Sequence, residues 1–368
     1  MEDIPVRVLV ASAGFLAGMI FGGTAQRTNF CTMGALSDIV FMGNYTRFRA
    51  WMLAIAVAML ISQGMDAAGL VELDESIYRT ANLGWLPAIV GGLMFGFGMT
   101  LAGGCGNKTL VRAGGGNLKS IVVLMILGIF AYMALRGLTG VFRVQLEQAA
   151  NVDLGELGYE TQGIDHILAS MLSMDAGLIR WVIVAVVVLG VLWFCFKDSE
   201  FRSSPRDIAA GLIIGALIPV GWWITGVFGY DDFDPTPLSS FTFVAPTGES
   251  IQYLMTFTGA SINFGIATVG GVIVGAFIAS IASREFRVES FTDANDVLRH
   301  MVGGALMGTG GVLALGCTIG QGLTGLSTLA VGSVIAWLSI MLGGVVGLKY
   351  LEEGSFPGAF RALLSRSG

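Results

Sequence analysis

Charged residues are scarce in this sequence of 368 residues. Asp, Glu, Lys and Arg make up 12% of it, about half of the ~25% that is usual for a soluble globular domain. Hydrophobic residues make up 54%, and the mean hydropathy is +0.76. A soluble chain of this length needs a charged, hydrated surface, whereas a lipid bilayer removes that need. The composition therefore predicts a membrane protein with a single membrane domain over residues 1–368.

Histidine and cysteine are also rare, with two and four residues respectively. Neither CxxC spacing nor a histidine cluster indicates a zinc site. All four cysteines lie in or beside apolar segments, so we expect free thiols rather than disulfides. The sequence has no Walker motif and no basic patch of the kind that binds nucleic acid. We therefore expect no metal, no cofactor, no nucleic-acid partner and no enzymatic activity.

Long apolar runs recur along the chain. Nine of them approach the ~20 residues that a membrane-spanning helix requires. Their approximate positions are 6–24, 50–65, 84–103, 119–141, 177–196, 207–227, 259–282, 298–316 and 328–349.

An odd number of crossings places the two chain termini on opposite faces of the membrane. Five of the twenty Lys and Arg residues fall on the face of the N-terminus, and fifteen fall on the other face. Cytoplasmic loops carry the excess of Lys and Arg in membrane proteins. We therefore expect the N-terminus outside the cytoplasm and the C-terminus inside it.

A glycine pattern occurs four times. Segment 90–98 aligns with 302–310, and the alignment continues without a gap to Cys105 and Cys317. In the first helix Cys31 takes the same position, thirteen residues after the first glycine, and in the sixth helix Ile224 does. We expect the glycines to allow close packing between helices. The four pairs are Gly18/Gly22, Gly92/Gly96, Gly211/Gly215 and Gly304/Gly308.

The repeats predict an internally duplicated fold. Residues 6–142 form the first half, 177–196 a connecting helix, and 207–350 the second half. Because a single helix separates the halves, the second half is inverted relative to the first, and each half contains a parallel repeat. This architecture is common among secondary transporters. The predicted fold class is an all-α polytopic membrane protein with about nine transmembrane helices and short re-entrant helices.

The three cysteines of the repeat lie in unusual surroundings. Segments such as 102–108 and 315–320 are too glycine-rich for a straight helix and too apolar for a hydrated loop. Re-entrant loops followed by short helices fit this pattern, and the helix N-termini would favour an anion. We therefore expect Cys31, Cys105 and Cys317 to be functional residues. Cys195 lies outside the repeat, and we interpret it as an ordinary apolar contact.

Residues beside these cysteines are candidates for anion binding. Lys108 and Arg27 would be costly to bury without an anion or a partner, although their long side chains also suit the membrane interface. The neighbouring amides and hydroxyls have the alternative role of satisfying re-entrant backbone groups. The candidates are Arg27, Asn29, Thr32, Gly104, Gly106, Asn107, Lys108, Gly316, Thr318 and Gln321.

Several of these segments resemble the YeeE/YedE family. They are 27–31, 101–105, 282–288 and the stretch from Gly303-Gly304 to 316–320, within a similarity that runs from about residue 8 to 350. The resemblance implies uptake of thiosulfate across the bacterial inner membrane, with three cysteines along the path. They correspond to Cys31, Cys105 and Cys317. Some relatives are linked to selenium metabolism, and others work with a TusA-like sulfur carrier, which here would be a separate cytoplasmic protein.

Three mechanisms remain open at this point. Neutral thiols are weak S–H donors, and a series of them could pass a thiosulfate dianion along without holding it tightly. A membrane sulfurtransferase would instead form cysteine persulfides. A transporter of a soft metal would use the cysteines as ligands, although Met or His pairs are missing near all three. A selenium-containing compound is an alternative substrate.

Overall fold

The computed structural model describes residues 5–231 and 236–365. Almost all regular structure in this part of the chain is helical. The α-helices are α1 Val6–Thr28, α2 Thr32–Ser37, α3 Thr46–Ala67, α4 Trp85–Leu101, α5 Gly106–Gly114, α6 Leu118–Arg136, α7 Leu138–Ala150, α8 Ile164–Leu172, α9 Ala176–Phe196, α10 Ser199–Arg202, α11 Pro205–Trp223, α12 Ala245–Met255, α13 Phe264–Ala282, α14 Ala294–Leu313, α15 Val331–Glu353 and α16 Phe356–Ser365. Three π-helical segments are present at Asp38–Met42, Ile224–Phe228 and Gly320–Gly325. Strands β1 (Asn82–Leu83) and β2 (Val152–Asp153) form one short antiparallel pair, with Asn82 opposite Asp153.

Within the described residues, eight helical segments are long and apolar enough to cross a membrane. A helix satisfies its own backbone hydrogen bonds, which a lipid environment requires. The eight segments are Val6–Met42, Thr46–Ala67, Trp85–Gly114, Leu118–Arg136, Ala176–Phe196, Pro205–Phe228, Phe264–Ala282 and Val331–Glu353. They coincide with eight of the nine predicted spans, and the predicted all-α polytopic fold class is confirmed.

The remaining predicted span, 298–316, corresponds to α14. This helix has 20 residues, but its first turns carry Asp296, Arg299 and His300 and are therefore less apolar than the other spans. Its apolar part packs antiparallel to α4 along the length of both helices. Gly303 lies against Gly98, while Gly310 lies against Gly91. α14 therefore runs through the same layer as α4.

Two predicted spans differ from the helices in their ends. The span predicted at 119–141 divides at Gly137, whose extended backbone ends α6 at Arg136 and starts α7 at Leu138. The span predicted at 259–282 begins only at Phe264, where the Asn263 side chain accepts a hydrogen bond from the Ile266 N–H and caps α13. Such local changes of backbone direction follow from one residue and leave little trace in hydropathy.

The repeated glycines pack helices against each other, as predicted. A Cβ atom added to Gly18 would lie 2.5 Å from the Thr268 carbonyl oxygen, and one added to Gly22 would overlap the Val272 carbonyl. Such backbone-to-backbone contact is possible only where a side chain is missing. The other pairs make equivalent contacts: Gly92/Gly96 of α4 with α15, Gly211/Gly215 of α11 with α3, and Gly304/Gly308 of α14 with α6.

These four contacts connect the two halves of the chain reciprocally. In each, the glycine helix of one half packs parallel to the second helix of a repeat in the other half: α1 with α13, α11 with α3, α4 with α15, and α14 with α6. Exchanging the halves leaves this set of pairs unchanged. A two-fold relation between the halves requires such a pattern, and the superposition of the halves after inversion stays a prediction.

A buried ionic network joins the loop before α4 to α8 and α9. The Arg79 and Asp165 side chains are both fully buried and form an ion pair of 2.8 Å. Arg180 of α9 pairs with Asp165 and also with Asp66 at the end of α3. Arg79 further donates to the Thr328 carbonyl. The network fixes the loop over one end of the helix bundle, beside the segment that follows Cys317.

The close glycine contact between α1 and α13 predicts a large effect of one methyl group. Gly22→Ala should lower the free energy of unfolding by ~1–3 kcal/mol, because the new Cβ overlaps backbone rather than a movable side chain. Thermal unfolding of the purified protein in detergent measures the effect. Gly64→Ala in α3 is the matched control, since nothing in the described structure lies within 4 Å of the added Cβ. Equal stability of the two variants would contradict this packing.

Candidate functional site

Each repeat cysteine stands at the start of a short helix. Cys31 is the N-cap of α2, and its Sγ accepts a hydrogen bond from the Gly34 N–H at 3.5 Å. Cys105 is the N-cap of α5. Cys317 precedes the helix that contains the π segment, and its Sγ accepts from the Gly320 N–H at 3.4 Å. At Cys31 and Cys317, sulfur thus takes the position in which oxygen side chains usually cap helices.

One backbone feature accompanies all three cysteines. The residue two positions earlier has a positive φ: 54° at Asn29, 70° at Gly103 and 55° at Leu315. This left-handed residue ends the preceding long helix and turns the chain into the cysteine segment. Leucine is unfavourable in this conformation, so the geometry is maintained at Leu315 against the preference of the residue. The fourth copy differs, because α11 continues directly into the π segment that begins at Ile224.

The three cysteine segments meet inside the protein. The thiols of Cys31 and Cys105 lie beside each other, and the Thr318 hydroxyl stands beside Cys105. The Cys105 thiol donates to Asn107 Oδ1 at 2.6 Å. Cys31, Cys105 and Cys317 are 5%, 0% and 0% exposed. Residues that are far apart in sequence therefore form one enclosed cluster, called here the thiol cluster: Cys31, Cys105, Cys317 and Thr318.

Cys317 has further neighbours that the sequence analysis missed. Its thiol approaches the Thr242 hydroxyl and the Phe243 backbone, which lie in a non-helical stretch at 236–244. A Cβ added to Gly320 would lie 3.5 Å from the Tyr78 hydroxyl. Burial raises the pKa of Tyr78, so the phenol is neutral. In the sequence, the stretch 236–244 is marked only by aromatic and hydroxyl residues, and it is too short to be a membrane span.

Lys108 supplies a positive charge next to the cluster. The side chain is buried, and its Nζ donates to Asn29 Oδ1 at 2.9 Å. The Lys108 ammonium lies close to Cys31 and Cys105. No carboxylate of the described residues lies within ion-pair distance of it. A buried ammonium without a carboxylate partner is costly unless an anion neutralises it.

A polar cavity of about 360 Å³ adjoins Lys108. Five of its lining residues are cationic and two are glutamates, although Lys119 and Arg299 already pair with Asp296. The cavity is therefore positive and open to an anion on the face that the charge bias assigns to the cytoplasm. The lining residues are Gln26, Asn29, Lys108, Arg112, Gly115, Asn117, Lys119, Glu285, Arg287, Glu289, Arg299 and His300.

A smaller cavity, of about 30 Å³, lies towards the other face. Tyr78 and Gln162 from the loops line it together with Gln321 and Ser333. Leu315 precedes Cys317 and Gln321 follows it, so this cavity adjoins the segment that carries that thiol. Because the thiol cluster itself is closed to solvent, it separates the two cavities.

Several buried polar atoms around the cluster have no partner. Buried polar groups are nearly always hydrogen-bonded, so a group of such orphans indicates a place for a polar ligand or water. Six of them surround the cysteines and the π segment: Thr32 Oγ1, Asn107 Nδ2, Thr318 Oγ1, Gln321 Oε1, Trp51 Nε1 and Trp337 Nε1. The two tryptophans are not among the predicted site residues, because an isolated indole in an apolar helix resembles a packing residue.

The predicted site residues divide into three groups. Asn29, Thr32, Asn107, Lys108, Thr318 and Gln321 lie at or beside the cysteines. Gly104, Gly106 and Gly316 contribute backbone at the turns. Arg27 is instead exposed and lines a separate groove between α1 and α13. Cys195 also lies apart, and its thiol donates to the Arg49 carbonyl at 3.3 Å.

The fold and the cluster define a polytopic helical membrane protein in which three helix starts meet in its interior. The chain belongs to the Sulphur transport family, whose model matches residues 27–346. It is 29% identical over 331 residues to the thiosulfate transporter TsuA of Escherichia coli K12, covering 84% of this chain and 86% of that protein. It is 26% identical over 332 residues to the thiosulfate transporter TsuA of Spirochaeta thermophila, covering 90% and 96%.

The positive φ of Leu315 predicts an unusual response to substitution. Leu315→Ile should lower the free energy of unfolding by ~1–2 kcal/mol, because a β-branched residue is strongly disfavoured there. Leu315→Asn, the residue of the first repeat, should be at least as stable as the original protein. Leu298→Ile is the control, since Leu298 is similarly exposed but lies within α14. Thermal unfolding in detergent compares them, and a tolerated isoleucine at 315 would argue against the left-handed turn.

Proposed function

We propose that this protein takes up thiosulfate across the bacterial inner membrane along the thiol cluster. The observation that carries the proposal is that three helix starts, each beginning at a cysteine, meet in one buried cluster. Helix N-termini favour anions, and they do so most strongly where water is excluded. The family membership and the two relatives named thiosulfate transporters support a sulfur-containing anion as the substrate.

The proposed path runs from the small cavity to the large one. Thiosulfate enters beside Tyr78 and Gln321, meets Cys317, and passes Thr318 to reach Cys105 and Cys31. Lys108 then attracts the dianion into the positive cavity. The charge bias of the loops supports this direction, with the N-terminus outside and the C-terminus in the cytoplasm.

Transport requires weak, replaceable contacts at the centre. A thiol is a weaker hydrogen-bond donor than a hydroxyl, and sulfur contacts suit the terminal sulfur of thiosulfate. The unpartnered groups of Thr32, Asn107 and Thr318 offer further contacts. Binding at several weak sites allows an ion both to enter and to leave. Because the cysteines are closed off from both cavities, passage also needs an opening of the re-entrant segments.

Covalent sulfur transfer is the second candidate mechanism. The adjacent Cys31 and Cys105 thiols beside the Lys108 ammonium favour it. A thiol would attack the terminal sulfur of thiosulfate, giving a cysteine persulfide and sulfite. The sulfur could then pass to a separate TusA-like carrier in the cytoplasm. A selenium-containing analogue of the same charge and shape is an alternative substrate for either mechanism.

The proposed path predicts different roles for the four cysteines. Cys31→Ala, Cys105→Ala and Cys317→Ala should each reduce uptake at least tenfold, since about 1.4 kcal/mol of lost transition-state contact suffices for that factor. Cys195→Ala is the matched control and should retain uptake. In the described structure, the hydrogen bond of the Cys195 thiol goes to the backbone of α3 and not to the thiol cluster. Labelled thiosulfate uptake into liposomes containing purified protein measures this. Loss of uptake in a well-folded Cys195→Ala protein would reject the assignment.

Serine replacements distinguish the two mechanisms. Cys31→Ser, Cys105→Ser and Cys317→Ser should keep part of the uptake if the thiols act as hydrogen-bond donors, because a hydroxyl also donates. Covalent transfer would stop completely, since serine forms no persulfide. Intact-protein mass spectrometry after turnover provides the second readout. A stoichiometric adduct of one sulfur atom on Cys31, Cys105 or Cys317 would support the covalent mechanism and contradict the hydrogen-bond mechanism.

A further inference from the structure

A groove separate from the thiol cluster lies on the outside of the helix bundle. Its larger part is an apolar cavity of about 520 Å³ between α1 and α13, with one side formed by Ile213 of α11. A second cavity, of about 420 Å³, continues it at the ends of the same three helices. Arg27 and Thr28 line both cavities, so the two form one continuous site.

The apolar part of the groove results from small residues. Gly23, Gly275 and Ala279 form its floor, and Ile20 and Ile278 stand at its sides with about half of their surface exposed. Gly275 is packed against the Met19 backbone, whereas a Cβ added to Gly23 would meet only the Gly275 carbonyl oxygen at 3.6 Å. The groove at Gly23 is therefore open, and its apolar lining suits an acyl chain.

The other end of the groove is positively charged. Arg27 lies in the last turn of α1, and Arg206 lies in the first turn of α11. Neither guanidinium has a carboxylate within ion-pair distance in the described part of the chain. Glu285 is the one acidic residue that lines this cavity, so the end carries a net positive charge. The N-terminus of α11 adds a positive dipole end.

We propose that this groove binds an anionic phospholipid of the cytoplasmic leaflet. The acyl chain would occupy the apolar part beside Gly23, and the phosphate would bind Arg27 and Arg206. The two arginines lie where α1 ends and α11 begins, which is the depth of lipid headgroups for spanning helices. Basic pockets between helices on the cytoplasmic side suit such headgroups. This site also explains why Arg27, four residues before Cys31, faces away from the thiol cluster.

Native mass spectrometry of delipidated protein with added phosphatidylglycerol tests the proposal. The original protein should retain phosphatidylglycerol in preference to phosphatidylcholine. Arg206→Gln should weaken retention about fivefold, and Arg27→Gln with Arg206→Gln about thirtyfold, from the loss of one and two headgroup charges. Arg202→Gln is the matched control and should change nothing, because Arg202 is exposed near the same helix ends but lines neither cavity.

A second variant distinguishes a lipid from a free anion. Gly23→Leu keeps both arginines and fills the open part of the groove, so it should weaken phosphatidylglycerol retention as strongly as the double variant. Inorganic phosphate should fail to displace the lipid. Sensitivity to the arginines without sensitivity to Gly23→Leu would indicate a soluble anion and overturn the proposal. So would equal retention of phosphatidylcholine, or retention unchanged in all variants.

Discussion

Backbone groups inside a membrane must find hydrogen-bond partners within the protein, and this constraint shapes the centre of the structure. Three long helices end there, at Asn29, Gly103 and Leu315, and three short helices start anew. Each start leaves free N–H groups that only a side chain, water or an anion can satisfy. Cys31 and Cys317 satisfy them through sulfur, a weak acceptor that a stronger one could displace. The capping therefore leaves the helix starts available to an anion.

The glycine contacts between the halves bring these helix starts together. α1 packs on α13 and α4 packs on α15 without intervening side chains, so the ends of α1 and α4 are held against the other half of the chain. α14 lies antiparallel to α4 and delivers Cys317 and Thr318 from the opposite direction. The thiol cluster thus depends on packing between halves that are separated by the connecting helix α9. Breaking one of these contacts would displace a cysteine segment as well as lower stability.

Much of this arrangement could be predicted, because it repeats. Thirteen residues separate a glycine from Cys31, Cys105 and Cys317 alike, and a register kept in three helices indicates a shared environment. Eight of the spans could be predicted from hydropathy, because hydropathy measures whether a segment prefers lipid or water. Arg27 could not be placed in this way, since neighbouring residues at the end of a helix point in different directions.

Other features depend on contacts that sequence does not contain. The left-handed backbone at Leu315 is opposed by local preference and is held by the surrounding fold. Thr242 and Tyr78 reach Cys317 from separate loops, one of them fixed by the buried pair of Arg79 and Asp165. No periodicity marks such positions. Only the folded structure shows that Thr242 and Tyr78 lie beside the Cys317 segment.

Protection of the cysteines from alkylation by thiosulfate tests the central claim most directly. Purified protein in liposomes is treated with a membrane-permeant maleimide, and the modification rate of each cysteine is followed by peptide mass spectrometry. We expect thiosulfate to slow modification at Cys31, Cys105 and Cys317, sulfate to do so less, and neither to affect Cys195. Equal protection of all four cysteines, or protection of Cys195 alone, would contradict a substrate path along the thiol cluster.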